Sequence, residues 1–151
     1  MKVKFPNNVI REVDITSGAN LRGADLRNAD LHRVDLRGAN LRAANLRGAN
    51  LRGANMRGAN MRWADLSWAD LCGADFSDAD LSRVDLRLAD LSGADLRWAD
   101  LCCADLSDAH LRKTDLRWAN LSGVRLSGSS LSGAKLDGAN TRGVVINNKA
   151  Y

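Results

Sequence analysis

The sequence predicts an all-β solenoid, a short strand-and-corner unit wound into stacked coils. A five-residue period runs unbroken through 26 copies from Ala19 to Asn148. So strict a short period marks a repeat architecture. Within each copy, apolar residues hold the first and third positions, which is the period-2 pattern of a strand. Twelve of the thirteen glycines fall on the fifth position, leaving only Gly18 outside the period. A type II turn needs positive φ at its second central residue, and glycine meets that need without strain.

We name the five positions by their commonest residues: the Ala, Asp, Leu, Arg and Gly sites. The Leu site departs from Leu only at Met56, Met61, Phe76, Thr141 and Ile146, and the Ala site is Ala in 20 copies. These two sites form the expected core. The Asp site is Asp or Asn in 21 copies, short polar side chains suited to capping backbone N–H groups at corners. A helix is excluded, because a five-residue period drifts off any helical face.

The chain reads as one domain of 151 residues. Residues 1–18 keep a shifted register, with Phe5, Ile10 and Ile15 five apart. They are expected to form three degenerate repeats that cap the N-terminal end, with Pro6 at a corner and Gly18 as one extra residue. Residues 19–148 are the regular repeats, and 149–151 a tail. Val144, Val145 and Ile146 are expected to plug the other end of the core.

Residues 1–63 carry 12 Lys/Arg against 5 Asp/Glu, and the remainder 10 against 13. The first half is basic and the second mildly acidic. From Arg22 to Arg62 the Arg site is Arg in eight of nine copies, and from Asp65 to Asp105 the Asp site is always Asp. No apolar run approaches the ~20 residues of a membrane span, and no leader-like stretch follows Lys2 and Lys4. Cys72, Cys102 and Cys103 lack ligand spacing, so reduced thiols in a cytoplasmic protein are expected.

The A-[DN]-L-x-x run, clearest from Ala39 to Arg62, is similar to the pentapeptide repeat protein family, and the resemblance covers essentially the whole chain. It implies a right-handed quadrilateral parallel β-helix with four repeats per coil. That makes about seven coils, on the order of 35 Å at the usual strand spacing. Residues 20 apart should then stack. Arg22, Arg42 and Arg62 align, as do Arg37 and Arg57, in rows able to meet phosphates or an acidic surface.

All four tryptophans, Trp63, Trp68, Trp98 and Trp118, occupy Gly sites and should point outward. Trp98 and Trp118 should stack on one corner, Trp68 should neighbour Leu88, and Trp63 should lie beside Arg83. Exposed tryptophans are candidates for a partner-binding edge. Enzyme chemistry has no support. His32 and His110 lie about four coils apart in such a solenoid, and Ser67, Ser77 and Ser92 are expected to be exposed without a base. No cofactor or metal is expected.

The expected function is a rod-like scaffold for protein–protein interaction. Its partner is an unidentified protein, acidic if it meets the basic faces, and the rod is a monomer or an end-to-end dimer. The alternative comes from the resemblance: some family members are similar to duplex DNA in shape and charge and bind DNA gyrase. The interleaved Arg83, Arg87, Arg97, Arg112 and Arg117 weigh against it here.

Overall fold

The computed structural model describes residues 2–5, 9–12, 14–146 and 149–150. From Asn20 to Val145, parallel bridges join Asp-site residues 20 apart, as in Asn20 to Asn40 and Asp65 to Asp85. One coil is therefore four repeats, and the chain is a parallel β-helix.

A regular interior repeat accounts for all five of its backbone N–H groups. In the coil from Ala39, the Asn40 N–H donates to the Ala19 carbonyl of the preceding coil (2.9 Å). The Leu41 and Ala43 N–H groups donate to the Asn60 and Arg62 carbonyls of the next (2.7 and 2.8 Å). The Ala44 N–H closes the corner onto the Leu41 carbonyl (2.9 Å). The Arg42 N–H has no backbone acceptor and donates to Oδ1 of Asn40 (3.2 Å). The same Asp-site cap recurs at Ser67, Arg87 and Arg142. The Asp site thus satisfies a donor that the ladder leaves over.

All 26 corner positions from Gly18 to Gly143 have positive φ, and 13 of them are not glycine. Their side chains point away from the core, which the Leu and Ala sites fill. Leu, Met and Ala side chains from Leu36 to Leu121 are at most 2% exposed where they meet it. Phe76 fits at 1%. Thr114, fully buried at an Ala site, donates its hydroxyl to the Leu91 carbonyl at 2.9 Å.

The N-terminal end differs from the expected degenerate repeats. Strands β1 (Lys2–Phe5) and β2 (Val9–Glu12) form an antiparallel hairpin. The Lys4 carbonyl accepts the Asp25 N–H (2.7 Å), which docks the hairpin on the first coil. Two runs flanking Pro6-Asn7-Asn8 are a hairpin signal, which the five-residue spacing of Phe5 and Ile10 obscured. Pro6, Asn7 and Asn8 and the side chains of Phe5 and Ile10 lie outside the described residues. Nor is Gly18 an inserted residue. It has φ +72° at a corner closed by the Ala19 N–H on the Thr16 carbonyl, and its own N–H donates to the Arg37 carbonyl (2.8 Å). The regular register therefore begins before Ala19.

The C-terminal end also departs from expectation. Strand β3 (Val145–Ile146) turns back antiparallel onto β4 (Lys149–Ala150), while Asn147, Asn148 and Tyr151 lie outside the described residues. Val144 packs partly buried against the core, but the run through Ile146 does not close it. Ile146 is 43% and Leu136 38% exposed, and with Leu121, Leu126, Leu131, Thr141 and Val144 they line a cavity of about 270 Å³. Among the described residues no further coil covers this face, and Leu136 stays exposed while Leu121 and Leu126 beneath it are buried.

Leu71 and Leu136 occupy the same repeat position with opposite burial. Leu71→Ala should cost about 2–5 kcal/mol by cavity formation, and Leu136→Ala about 1 kcal/mol or less. Guanidinium unfolding checks this; equal losses would mean that the C-terminal end is covered.

Candidate interaction surface

Residues 20 apart form columns along the corners. Trp63, Trp68, Trp98 and Trp118 sit at φ +58°, +64°, +62° and +63°, a left-handed conformation costing a non-glycine residue roughly 1–2 kcal/mol. Their exposures of 42, 58, 60 and 53% exclude a core role.

The rings of Trp98 and Trp118 stack at 5.4 Å between centroids, 12° from parallel. The Trp118 ring in turn covers the next position of its column, Gly138, where an added Cβ would run into it. Glycine at 138 is what lets the tryptophan lie down. Trp68 precedes Leu88 on another corner, and Leu88 is 43% exposed. Trp63 differs from the expected pairing with Arg83: the guanidinium groups over its ring are those of Arg42 at 4.5 Å and Arg62 at 4.9 Å.

The arginine rows align as expected but are not uniformly free. Where the Asp site is Asp, the arginine two residues on closes a two-pronged pair with it. Arg37 donates from Nε to Oδ1 of Asp35 (2.9 Å) and from Nη2 to Oδ2 (2.6 Å). Arg27, Arg87, Arg97 and Arg117 repeat this with Asp25, Asp85, Asp95 and Asp115. Where the Asp site is Asn, the guanidinium must look elsewhere. Arg52 reaches Asp70 and Arg57 reaches Asp78, each at 3.2 Å, and Arg62 lies 3.8 Å from Asp80. Among the described residues, Arg22, Arg42 and Arg47 form no ion pair. These three, following Asn20, Asn40 and Asn45, are the Arg-site arginines of the first half with no carboxylate in contact, and Arg42 lies over Trp63 instead. Sequence reasoning grouped all the arginines together, although the Asn or Asp two residues earlier was the signal that separates them.

The paired carboxylates titrate low. Hydrogen bonding to Arg37 holds Asp35 down at about 2. Arg27, Arg97 and Arg117 likewise hold Asp25, Asp95 and Asp115 below the usual range.

The serines correct another expectation. Ser67 and Ser77 are buried rather than exposed. Each hydroxyl donates to Oδ1 of its Asp-site neighbour, Asp65 or Asp75, at 2.6 Å. A concavity of about 540 Å³ at the N-terminal end is lined by Asp14, Ile15, Thr16, Asp30, Leu31, His32 and Val34. Its His32–Asp30 contact (3.0 Å) is well exposed on both sides. Among the described residues no group of three His, Cys, Asp or Glu is placed to hold a metal ion. No helix among them is long and apolar enough to cross a membrane.

The family model described as pentapeptide repeats matches residues 15–42, 35–71, 89–128 and 104–143, eight copies in all. No protein of curated function matches the chain. Among solved structures, the pentapeptide repeat protein Rfr23 of the cyanobacterium Cyanothece is 31% identical, with a TM-score of 0.57. That match covers 62% of this chain and 60% of Rfr23, so the chain spans less than two thirds of that protein. A pentapeptide repeat protein of the Arabidopsis thaliana thylakoid lumen is 35% identical over 73% of this chain and 70% of its own, at a TM-score of 0.52. The plasmid-mediated fluoroquinolone resistance protein QnrB1 is 21% identical over 82% of this chain and 65% of its own, at 0.63. At that identity the likeness is one of fold.

Two predictions follow from the geometry. Gly138→Ala should push the Trp118 ring off its corner and weaken the Trp98–Trp118 exciton couplet in circular dichroism; an unchanged couplet would mean that the ring does not rest there. Asp35 is depressed from 3.8 to about 2 in the fold, so its pairing stabilises the protein above the unfolded value and is lost as pH falls through the folded one. Thermal stability should drop between those two pH values, and drop less steeply in Asp35→Asn.

Proposed function

The chain belongs to the pentapeptide repeat family, and on that premise we propose that it is a non-enzymatic rod that presents a protein-binding edge. The rod is a right-handed quadrilateral β-helix of about seven coils, acting in a reducing, cytoplasmic setting suited to its three cysteines. The observation that carries this reading is the four tryptophans on left-handed corners. Each accepts backbone strain that glycine would avoid, and none is spent on the core. Large aromatic side chains kept exposed on a rigid scaffold fit an interface anchor.

Trp98 and Trp118 form the anchor on one corner, with Arg22 and Arg42 at the neighbouring corner as its charged rim. Trp68 with Leu88 is a second apolar contact half a coil away, on the opposite corner beside Arg47. The Trp98–Trp118 corner fits an acidic protein with an apolar cleft. Steering by the free arginines would raise the association rate and make it salt-dependent.

A gyrase-directed DNA mimic is the weaker reading. Mimicry needs a continuous negative surface, whereas Asp85, Asp95 and Asp115 are each clamped by an arginine of the same repeat.

Affinity capture from the native cell, with the double variant Trp98→Gly and Trp118→Gly beside the parent, tests the proposal. The parent should retain partners that the variant loses while folding normally. Capture unaffected by the double change would sink the tryptophan edge. Inhibition of gyrase supercoiling by the parent would instead favour mimicry.

A further inference from the structure

Beyond this surface, the fifth coil carries two adjacent thiols that the interaction reading does not use. Cys102 holds an Arg site and Cys103 the following Gly site. Consecutive residues of a strand point to opposite faces, but this pair straddles a corner. With Cys103 at φ +59°, the two Sγ atoms come to 3.5 Å. Cys103 is exposed and Cys102 half-buried.

The backbone that holds them is fixed on both sides. The Cys103 N–H donates to the Ser122 carbonyl (2.8 Å), and the Cys102 carbonyl accepts the Arg83 N–H (2.9 Å). The Cys102 N–H donates to Oδ1 of Asp100 (3.0 Å). The next residue on this corner is Gly123, whose added Cβ would stand 3.3 Å from the Cys103 sulfur. Glycine leaves that sulfur its room. The pair is thus held in place before any ligand arrives, which lowers the ordering cost of binding.

Two thiols in contact can join directly or share a bridging atom. Direct joining is strained here. A trans peptide holds adjacent Cα atoms about 3.8 Å apart, short of the roughly 4.4–6.8 Å that disulfides prefer. A bridging atom spans the existing gap without that closure. Zinc usually wants about four protein or water ligands in a tetrahedron, and among the described residues no third ligand stands by. The fitting ligand needs two sulfurs from the protein and brings its own third substituent.

We propose that Cys102 and Cys103 form a dithiol site that chelates a trivalent organoarsenical. In the reaction of R–As=O with the two thiols, two As–S bonds form and the As=O bond breaks. The oxygen leaves as water, carrying both thiol protons. Arsenic stays trivalent throughout, so no oxidant or reductant is consumed. Cys72 lies on a different face without a partner thiol, and burial pushes it up to about 12. It serves as an internal control.

The test uses the reduced full chain and phenylarsine oxide, read by intact mass. The parent should take up one phenylarsine group that survives excess monothiol and is removed by 2,3-dimercaptopropanol. Cys102→Ser and Cys103→Gly restore residues that the repeat already uses at those sites, so both should fold as the parent does by circular dichroism. Each should lose the monothiol-resistant adduct completely, and Cys72→Ser should keep it. A parent without a monothiol-resistant adduct would overturn the proposal, as would a resistant adduct persisting in either single variant of the pair.

Discussion

At every fifth residue from Gly18 to Gly143 the backbone enters the left-handed region, and the rest of the rod depends on that repeated corner. It turns the chain in the same sense after each three-residue strand, so that four corners bring residue i beside residue i+20. Stacking then lets the strands exchange hydrogen bonds with the coils before and after. The coil's cross-section is set by backbone closure, which explains the monotony of the core. The space inside accepts one Leu-sized and one Ala-sized side chain per repeat. Met56, Met61 and Phe76 are accommodated at the Leu site all the same, each at most 1% exposed.

The corner also explains why chemistry gathers where it does. Three positions of each repeat are committed: two to the core and one, the Asp site, to capping the Arg-site N–H. The Gly sites and most Arg sites project outward with no duty to the fold beyond φ, the buried Ser67, Ser77 and Ser82 being the exceptions. Within this freedom a single atom type decides the electrostatics. An Asp at the Asp site caps the N–H and also clamps the arginine two residues on, as Asp35 does to Arg37. An Asn caps the same N–H and leaves the arginine without a carboxylate in its own repeat, as Asn40 does to Arg42. Exchanging Asn for Asp along the chain, with no change in fold, converts a basic half into one whose charges largely cancel.

Much of this was legible in the sequence because the period ties chemistry to geometry. The core, the corners and the outward tryptophans all follow from position within five residues. So does the Trp98–Trp118 stack, once four repeats per coil is taken from the family resemblance. What escaped was whatever breaks the period. The N-terminal hairpin was hidden because Phe5, Ile10 and Ile15 happen to be five apart while the chain runs antiparallel. Gly18 looked inserted because the repeat before it, Ile15-Thr16-Ser17, lacks Leu at its Leu site. The C-terminal plug failed because an apolar residue at a coil end is buried only if another layer covers it, and nothing in Val144 to Ile146 supplies that layer. Partners for Arg57 and Trp63 depended on reach between coils, which a one-dimensional period does not encode.

The central claim is that the tryptophans are surplus to the fold. Guanidinium unfolding of the fourfold variant Trp63→Gly, Trp68→Gly, Trp98→Gly and Trp118→Gly tests it most directly. Relief of left-handed strain, roughly 1–2 kcal/mol at each corner, should offset the lost ring contacts, of which the stacked pair contributes about 0.5–1.5 kcal/mol. The predicted midpoint is equal to or above that of the parent. A loss of about 4 kcal/mol or more, the scale of truncating a buried aromatic side chain, would show that the tryptophans hold the rod together and would contradict the account.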